Sequence, residues 1–229
     1  MAHARSLLTL APEAVRTMFD RIAPVYDVMN RVMTAGLDRR WRRLTAEAVV
    51  RPGDRVLDAA CGTGDLAIAD HRVGASRVTG LDFSERMLER ARRKAPLDWV
   101  QGDLLSLPYA DGTFDAATVG FGVRNVADLE LSLRELHRVL KPGGRLGILE
   151  ITRPRGIARP FYSLWFDRLV PLLGNLLPGG SAYTYLPASV KRFPPAEQLA
   201  ELLRATGFEH VDFRLFGASI VALHTGERV

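Results

Sequence analysis

The stretch from Val56 to Ala67, which reads VLDAACGTGDLA, decides the fold of this chain. Its first half is a short apolar run that predicts a strand at 55–59, and its second half opens a helix that extends to about Arg72. Between them, Gly62 and Gly64 let the backbone turn sharply and approach a ligand, with the N–H groups of the helix start pointing at it. The stretch therefore predicts a strand–loop–helix unit with a ligand at the carboxyl end of the strand.

Strand and helix patterns alternate on both sides of this unit. The predicted strands are residues 55–59, 77–82, 97–101, 114–119 and 145–151. Helices are predicted between them, including one that begins after Ser84 and one at 128–140 that ends at a Lys-Pro-Gly-Gly run. Successive βα units predict a parallel sheet with helices on both faces.

The carboxyl-terminal part follows a different pattern. After a helix at 195–206, two β-rich runs at 211–216 and 220–224 are joined only by residues 217–219, which predicts an antiparallel hairpin. The predicted fold class is therefore α/β: a doubly wound, mostly parallel, seven-stranded Rossmann-like sheet with a C-terminal antiparallel hairpin.

The chain has 229 residues, of which 47% are hydrophobic and 25% charged, as expected for one globular domain. We expect residues 1–229 to form a single domain in four parts. These are an N-terminal helical cap (1–50), a cofactor-binding core (51–151), a lid or substrate insertion (152–193) and a C-terminal helix with its hairpin (194–229).

The net charge of +5 permits an anionic partner, either nucleic acid or a membrane surface, without favouring one. Arginine clusters at 39–43 and 90–93 are interpreted as solvated helix faces. The most apolar segment, 161–177, contains Asp167 and Arg168 and is not a membrane span, and the first residues do not read as a secretory signal. We expect a cytoplasmic protein that can touch the inner face of a membrane without crossing it.

Metal chemistry is not expected. Cys61 is the single cysteine, which excludes a cysteine-based zinc cluster, and the five histidines lack ligand spacing. Cys61 and His137 are interpreted as structural residues.

Four acidic residues follow three successive predicted strands: Asp58, Asp65, Asp82 and Asp103. Because the carboxyl ends of parallel strands meet at one edge of a sheet, we expect these carboxylates to lie close together. Asp58 and Asp65 would repel a diphosphate and instead favour a ligand with a cationic ammonium end. Asp82 is placed to accept hydrogen bonds from both hydroxyls of a ribose, and Asp103 from an adenine amino group.

Two other classes stay open at this point. The glycine spacing also matches a dinucleotide loop weakly, so a nucleotide-binding oxidoreductase is an alternative that the acidic loop disfavours. A noncatalytic binding module is the other.

These motifs resemble those of the class I S-adenosylmethionine-dependent methyltransferases. Residues 58–64 are similar to their first motif, Asp82 to their ribose-binding acid and Asp103 to their adenine-side acid. The implied cofactor carries an amino group and a sulfonium but no phosphate. The resemblance implies the cofactor-binding residues Asp58, Gly62, Thr63, Gly64, Asp82, Phe83, Asp103, Leu104 and Gly120.

Other segments resemble one narrower family, the ubiquinone/menaquinone-biosynthesis C-methyltransferases, over nearly the whole chain. The most specific are Phe-Gly-Val-Arg-Asn at 121–125 and Tyr-Thr-Tyr-Leu-Pro-Ala-Ser at 183–189. Nucleic-acid amino methyltransferases carry an Asn- or Asp-Pro-Pro-aromatic loop where 121–125 stands, so we expect no nucleic-acid partner. Gly120 departs from the family, in which many members have a serine there beside the cofactor.

The resemblance implies C-methylation of a polyprenyl hydroquinol, with demethylmenaquinol as the favoured acceptor. A benzoquinol precursor of ubiquinone, an unrelated small molecule and nucleic acid stay open as alternatives. The ring becomes electron-rich once a hydroxyl loses its proton, so the enzyme must align the ring, exclude water and stabilise the phenolate. Arg124 is the candidate for the phenolate, with Tyr26 and Tyr185 as acceptor-side hydroxyls. The alternatives are a structural ion pair for Arg124 and core packing for the tyrosines.

Residues 153–177 combine arginines with aromatic and aliphatic side chains. This composition predicts contact with anionic head groups and acyl chains at a membrane surface. Packing under the lid or a homodimer interface is the alternative for the same residues.

Overall fold

The computed structural model describes residues 12–153 and 181–229. Its strands are β1 (Arg55–Ala59), β2 (Arg77–Asp82), β3 (Asp98–Gln101), β4 (Phe114–Gly120), β5 (Leu140–Ile151), β6 (Phe208–Phe216) and β7 (Val221–Arg228). They form one sheet in the order β3-β2-β1-β4-β5-β7-β6. The first five strands are parallel, and β7 is antiparallel to both β5 and β6. The predicted fold class is confirmed.

Helices cover both faces of this sheet. They are α1 (Pro12–Ile22), α2 (Tyr26–Thr34), α3 (Leu37–Val49), α4 (Asp65–Arg72), α5 (Glu85–Lys94), α6 (Leu129–Val139), α7 (Ser181–Arg192) and α8 (Ala196–Ala205). Leu133 of α6 and Leu199 of α8 belong to the core on one face, whereas Val49 of α3 and Ala67 of α4 pack on the other. Near the carboxyl ends of β1, β2 and β4, Phe19 of α1 and Tyr26 of α2 line one space together with residues of these strands.

The start of β5 differs from the prediction. The Lys-Pro-Gly-Gly run was expected to separate the preceding helix from a strand at 145–151, but β5 already begins at Leu140. Phe114 pairs with Leu140 and Ala116 with Arg145, so β5 has three more residues than β4 between these pairs and bulges relative to β4. A proline lacks the N–H that a strand interior needs, and a bulge accommodates it.

The insertion predicted at 152–193 is described only in part. Residues 154–180, which include nearly all of the predicted membrane-contacting segment, lie outside the described residues. Arg153 lies inside them and donates to the carbonyl oxygens of Lys191 and Phe193. In α7, Tyr185 packs against the buried cluster of Met18, Ile22 and Met87, so this end of the insertion lies on the N-terminal helices.

The described helices do not reach the dimensions of a membrane span. Within 12–153 and 181–229, every helix falls short of the length and hydropathy that a span requires.

Candidate active site

The glycine loop between β1 and α4 is held in place by β2. The Cys61 N–H donates to the Leu81 carbonyl over 3.0 Å, and the Gly62 N–H to an Asp82 oxygen over 2.8 Å. Gly64 has a φ of +82°, and a Cβ there would lie 2.4 Å from the Trp99 ring. Gly64 thus shapes the loop from behind and, unlike the other predicted cofactor residues, does not line the described cleft.

Asp58 lies fully buried at the floor of that cleft. One carboxylate oxygen accepts from the Ala67 N–H over 2.8 Å, and the other has no hydrogen-bond partner among the described residues. Burial, followed by the nearby Asp70 carboxylate, raises the pKa of Asp58 well above its usual range. An unpartnered acceptor in this setting suits a cationic donor such as an ammonium group.

Asp82 connects the two parts of the cleft. Its oxygens accept from the Gly62 N–H over 2.8 Å and from the Ser84 N–H over 2.9 Å. Burial raises the pKa of Asp82 to about 6, against the opposing effect of these N–H groups. Each carboxylate oxygen keeps a second lone pair, so the group can still accept hydrogen bonds from a ligand.

The cleft has a loop side of about 50 Å³ and a second side of about 290 Å³. Thr63 and Gly120 line the first, Asp103 and Leu104 line the second, and Phe83 lines both. Asp103 is exposed, and its carboxylate accepts from the Leu105 N–H over 2.9 Å. Many family members have a serine where this chain has Gly120. A Cβ at this position would lie 3.1 Å from the Leu66 side chain, so little space is free for a larger residue.

Asp65 is paired with a lysine and does not act on the ligand as the sequence predicted. The Lys94 ammonium lies 2.7 Å from both Asp65 and Asp27 and donates to the Thr63 hydroxyl over 2.8 Å. Asp65 therefore already shares a lysine with Asp27. The preference for a cationic ligand end rests on Asp58 and not on Asp65.

Beside the cleft lies a second cavity of about 470 Å³. Most of its wall is aliphatic or aromatic, including Met29, Met33, Trp41 and Ile220. The two spaces share Phe19, Tyr26, Arg42, Phe121 and Asn125 as lining residues. A cofactor and an apolar acceptor can therefore meet at this junction.

Arg124 lies at the junction in a buried ion pair. Its guanidinium is 2.7 Å from Glu150, whose side chain is 1% exposed, and it also donates to the Phe121 carbonyl. Desolvation lowers the pKa of Arg124, but the Glu150 carboxylate more than compensates, so the pKa lies above its ordinary value. The structural ion pair that the sequence left open is thus present, and Arg124 also lines the cavity.

The two predicted tyrosines line the same cavity, Tyr26 from α2 and Tyr185 from α7. Desolvation raises the pKa of Tyr26, so this hydroxyl stays protonated at neutral pH and can donate a hydrogen bond. Arg192 lies over the ring of Tyr185, 5.6 Å from its centroid. The amide oxygen of Asn125 is buried at the junction and has no partner in the described ranges.

The structural readings of Cys61 and His137 agree with their surroundings. Desolvation raises the pKa of the Cys61 thiol well above its usual range, which disfavours the reactive thiolate. His137 Nε2 lies 3.2 Å from the Gly207 carbonyl, and His137 lines neither side of the cleft. No cluster of three His, Cys, Asp or Glu residues that could hold a metal occurs in the described part of the chain.

Sequence reasoning missed a second buried acid, Asp70 of α4. It is 0% exposed, accepts from the Thr118 hydroxyl over 2.7 Å and has one oxygen without a partner in the described residues. Burial raises the pKa of Asp70 from its ordinary 3.8 to about 7. Asp70 follows Leu66 and Ala67 at helical spacing, so its place on the buried face of α4 was readable from the pattern.

Asp70→Asn should flatten the pH dependence of stability. Because the folded-state pKa is raised, the folded chain binds more protons than the unfolded chain between about pH 4 and 7, and unfolding free energy falls as pH rises through that window. Asparagine removes this titration and should make the variant more stable than the wild type at about pH 8, but not at about pH 4.5. Urea unfolding at both pH values measures this, and identical profiles for the two proteins would contradict it.

The fold and the site together define a class. The sheet is mostly parallel, and its antiparallel strand β7 lies between β5 and β6. The cleft has a glycine loop and strand-end acids suited to an ammonium and a ribose. Together these features are those of a class I S-adenosylmethionine-dependent methyltransferase. A sequence model of the ubiE/COQ5 methyltransferase family matches residues 8–228, and the chain belongs to that family. The predicted family, enzyme class and cofactor are confirmed.

Relatives of known name agree with this placement. The chain is 44% identical to the demethylmenaquinone methyltransferase of Thermus thermophilus, over 92% of this chain and 100% of the relative. It is 41% identical to a 2-phytyl-1,4-naphtoquinone methyltransferase of Synechococcus elongatus, over 93% of this chain and 97% of the relative.

Solved structures share the fold at low identity. The cyclase SpnF superposes with a TM-score of 0.72 at 22% identity, covering 96% of this chain and 97% of its own. A possible histamine N-methyltransferase of Thermotoga maritima gives a TM-score of 0.69 at 22% identity, covering 94% and 100%. Since these proteins differ in chemistry, the shared fold does not fix the acceptor.

Proposed function

We propose that this enzyme methylates a ring carbon of a polyprenyl hydroquinol, with demethylmenaquinol as the acceptor. The observation that carries the proposal is the apolar cavity of about 470 Å³ that joins the cofactor cleft at Tyr26 and Asn125. A flat, apolar ring system fits a cavity with such a lining. The Arg124 guanidinium at the junction provides positive charge for one ring oxygen.

The cleft residues divide the cofactor between them. Asp58 would accept from its ammonium group, Asp82 from its ribose hydroxyls and Asp103 from its adenine amino group. When bound, S-adenosylmethionine supplies a methyl group that is already activated by the adjoining sulfonium. The protein therefore has to align the two ligands and keep water out.

Arg124 stabilises the phenolate form of the acceptor. Its raised pKa excludes proton abstraction by the guanidinium, but a fixed positive charge in a partly desolvated site favours loss of the quinol proton. The hydroxyls of Tyr26 and Tyr185, which line the cavity, orient the ring by donating to its oxygens.

The names of the relatives support a naphthoquinol nucleus. Two of those described above act, by name, on demethylmenaquinone and on a naphthoquinone. A relative from Geotalea daltonii, 39% identical, is named for both ubiquinone and menaquinone biosynthesis, which keeps a benzoquinol as the second candidate.

The test is methyl transfer from labelled S-adenosylmethionine to three acceptors of equal prenyl length. We expect methylation of reduced demethylmenaquinol, much slower methylation of a reduced demethylated benzoquinol, and none of oxidised demethylmenaquinone, which lacks an ionisable hydroxyl. Mass spectrometry identifies the products. Transfer to the benzoquinol alone would replace the naphthoquinol by the second candidate, and transfer to neither quinol would overturn the proposal.

A homodimer and a peripheral membrane contact are the remaining partners predicted from the sequence. Sedimentation of the purified enzyme with and without acceptor tests the first. Co-sedimentation with lipid vesicles tests the second.

A further inference from the structure

Exposed apolar side chains are concentrated at the joint between α2 and α3. Val28 is 60% exposed, Val32 50% and Leu37 43%. In the described ranges only six large hydrophobic side chains are exposed, and these three form half of them. Val28 and Val32 are one turn apart on α2. After the left-handed residues Ala35 and Gly36, Leu37 lines the same cavity as Val32. An apolar cluster of this kind on a polar surface marks a contact site.

The same joint carries unpaired positive charge. Arg31, Arg39 and Arg40 are exposed and line one open groove, and none of them forms an ion pair with any residue that the structure describes. The two acids that line this groove are already engaged, since Glu47 pairs with Arg43 and Asp65 with Lys94. Asp38, between Leu37 and Arg39 in the chain, is buried against Arg42. We call these six residues, Val28, Arg31, Val32, Leu37, Arg39 and Arg40, the α2–α3 face.

This face borders the mouth of the acceptor cavity. Val32 and Leu37 line the cavity and are also half exposed, so the cavity reaches the surface beside them. Gly36 lines the arginine groove, whereas Ala35 and Leu37 line the cavity, which places the two spaces on either side of one turn. A ligand that enters the cavity here passes directly beside the arginines.

We propose that the α2–α3 face docks on an anionic lipid bilayer, so that a prenylated acceptor passes from the bilayer into the cavity. The inference rests on the proposed function, since a polyprenyl quinol resides in lipid. Exposed aliphatic side chains enter the interface between head groups and acyl chains, and the arginines meet anionic head groups. Charge complementarity and the continuity with the cavity favour this occupant over a second copy of the chain, whose face would be equally positive and repel it.

The test uses two variants with the same loss of charge. The face variant is Arg31→Gln/Arg39→Gln/Arg40→Gln, and the control variant is Arg93→Gln/Arg134→Gln/Arg214→Gln, whose residues are also exposed but lie on α5, α6 and β6. Co-sedimentation with phosphatidylcholine vesicles, with and without phosphatidylglycerol, measures partitioning. We expect the face variant to lose about 100-fold in partitioning to anionic vesicles at low salt, and the control variant to retain most of it.

A second variant tests the apolar part. Val28 does not line the cavity and is well exposed, so Val28→Glu should fold normally and weaken vesicle binding about tenfold. The triple arginine variant and Val28→Glu, together the face variants, should both lose methylation of vesicle-borne quinol. Both should keep methylation of a short-chain, water-soluble naphthoquinol.

The outcomes separate this inference from the proposed function. If the wild type methylates quinols but binds anionic vesicles no better than neutral ones, or if face and control variants bind equally, the docking face is wrong and the function stands. If the wild type methylates neither the vesicle-borne nor the soluble quinol, the function itself fails. Loss of a wild-type dimer in the face variants, with unchanged vesicle binding, would assign the face to a second copy instead.

Discussion

Arg124→Met is expected to lower turnover by about 100- to 1000-fold, which is the usual effect of removing one donor to a developing oxyanion. The KM for S-adenosylmethionine should change little, because the Asp58 and Asp82 side of the cleft is untouched. The remaining rate should rise with pH toward the pKa of an unassisted phenol, near 10. Steady-state kinetics with a reduced, water-soluble acceptor across pH measures all three quantities.

The ion pair with Glu150 requires a control for this prediction. Removing Arg124 alone leaves a buried carboxylate without its partner, which destabilises a fold by about 3–5 kcal/mol. The double variant Arg124→Met/Glu150→Gln removes both charges and should recover most of the lost stability. If turnover recovers together with the melting temperature, Arg124 is only a structural partner of Glu150. If stability returns and turnover does not, the phenolate role stands.

Asp82→Ala should weaken S-adenosylmethionine binding by at least about 100-fold. Two charge-assisted hydrogen bonds of about 1.5–3 kcal/mol each are lost, and each 1.4 kcal/mol corresponds to a factor of ten. The glycine loop also loses its Gly62 N–H anchor, which adds to the effect. Isothermal titration calorimetry measures the affinity.

Asp98→Ala is the matched control for Asp82→Ala. Asp98 is a half-exposed carboxylate at the opposite end of the adjacent β3, and it pairs with Arg77 over 2.6 Å. Its loss should leave affinity unchanged. Since the pKa of Asp82 is about 6, wild-type affinity should also decline as pH falls below that value and the carboxylate is protonated. Unchanged affinity in a folded Asp82→Ala protein would show that the ribose assignment is wrong.

The features that could be predicted from the sequence are local. Strand, glycine loop and helix start lie within twelve consecutive residues at 56–67, and parallel topology then brings Asp58 and Asp82 to one edge without further information. The family resemblance implied Phe83 and Leu104 as cofactor residues, and both line the cleft. Gly64 was assigned to the ligand by motif, whereas its neighbour in the structure is Trp99, thirty-five residues further along the chain.

The features that could not be predicted are pairings across the fold. Glu150 meets Arg124 from 26 residues away, and Asp70 meets Thr118 from 48. Glu150 stands within the apolar run 146–151, which indicates a buried charge in the sequence itself. Its partner, however, depends on how β4 and β5 align. The sequence pattern favours a solvated helix face for the arginine cluster at 39–43, because it does not show that the nearby Val32 and Leu37 border a cavity.

Trp99 has a consequence for how this chain can vary. Its ring lies 2.4 Å from where a Cβ would stand at Gly64 and also 2.4 Å from that position at Gly80. A larger residue at either glycine collides with the indole, and a smaller residue at 99 opens a void beneath the loop. Gly80 can therefore be enlarged only if position 99 is made smaller, and Gly64 is restricted both by Trp99 and by its φ of +82°. An engineered library that randomises the glycine loop should keep Gly64 fixed, and one that enlarges position 80 should vary position 99 with it.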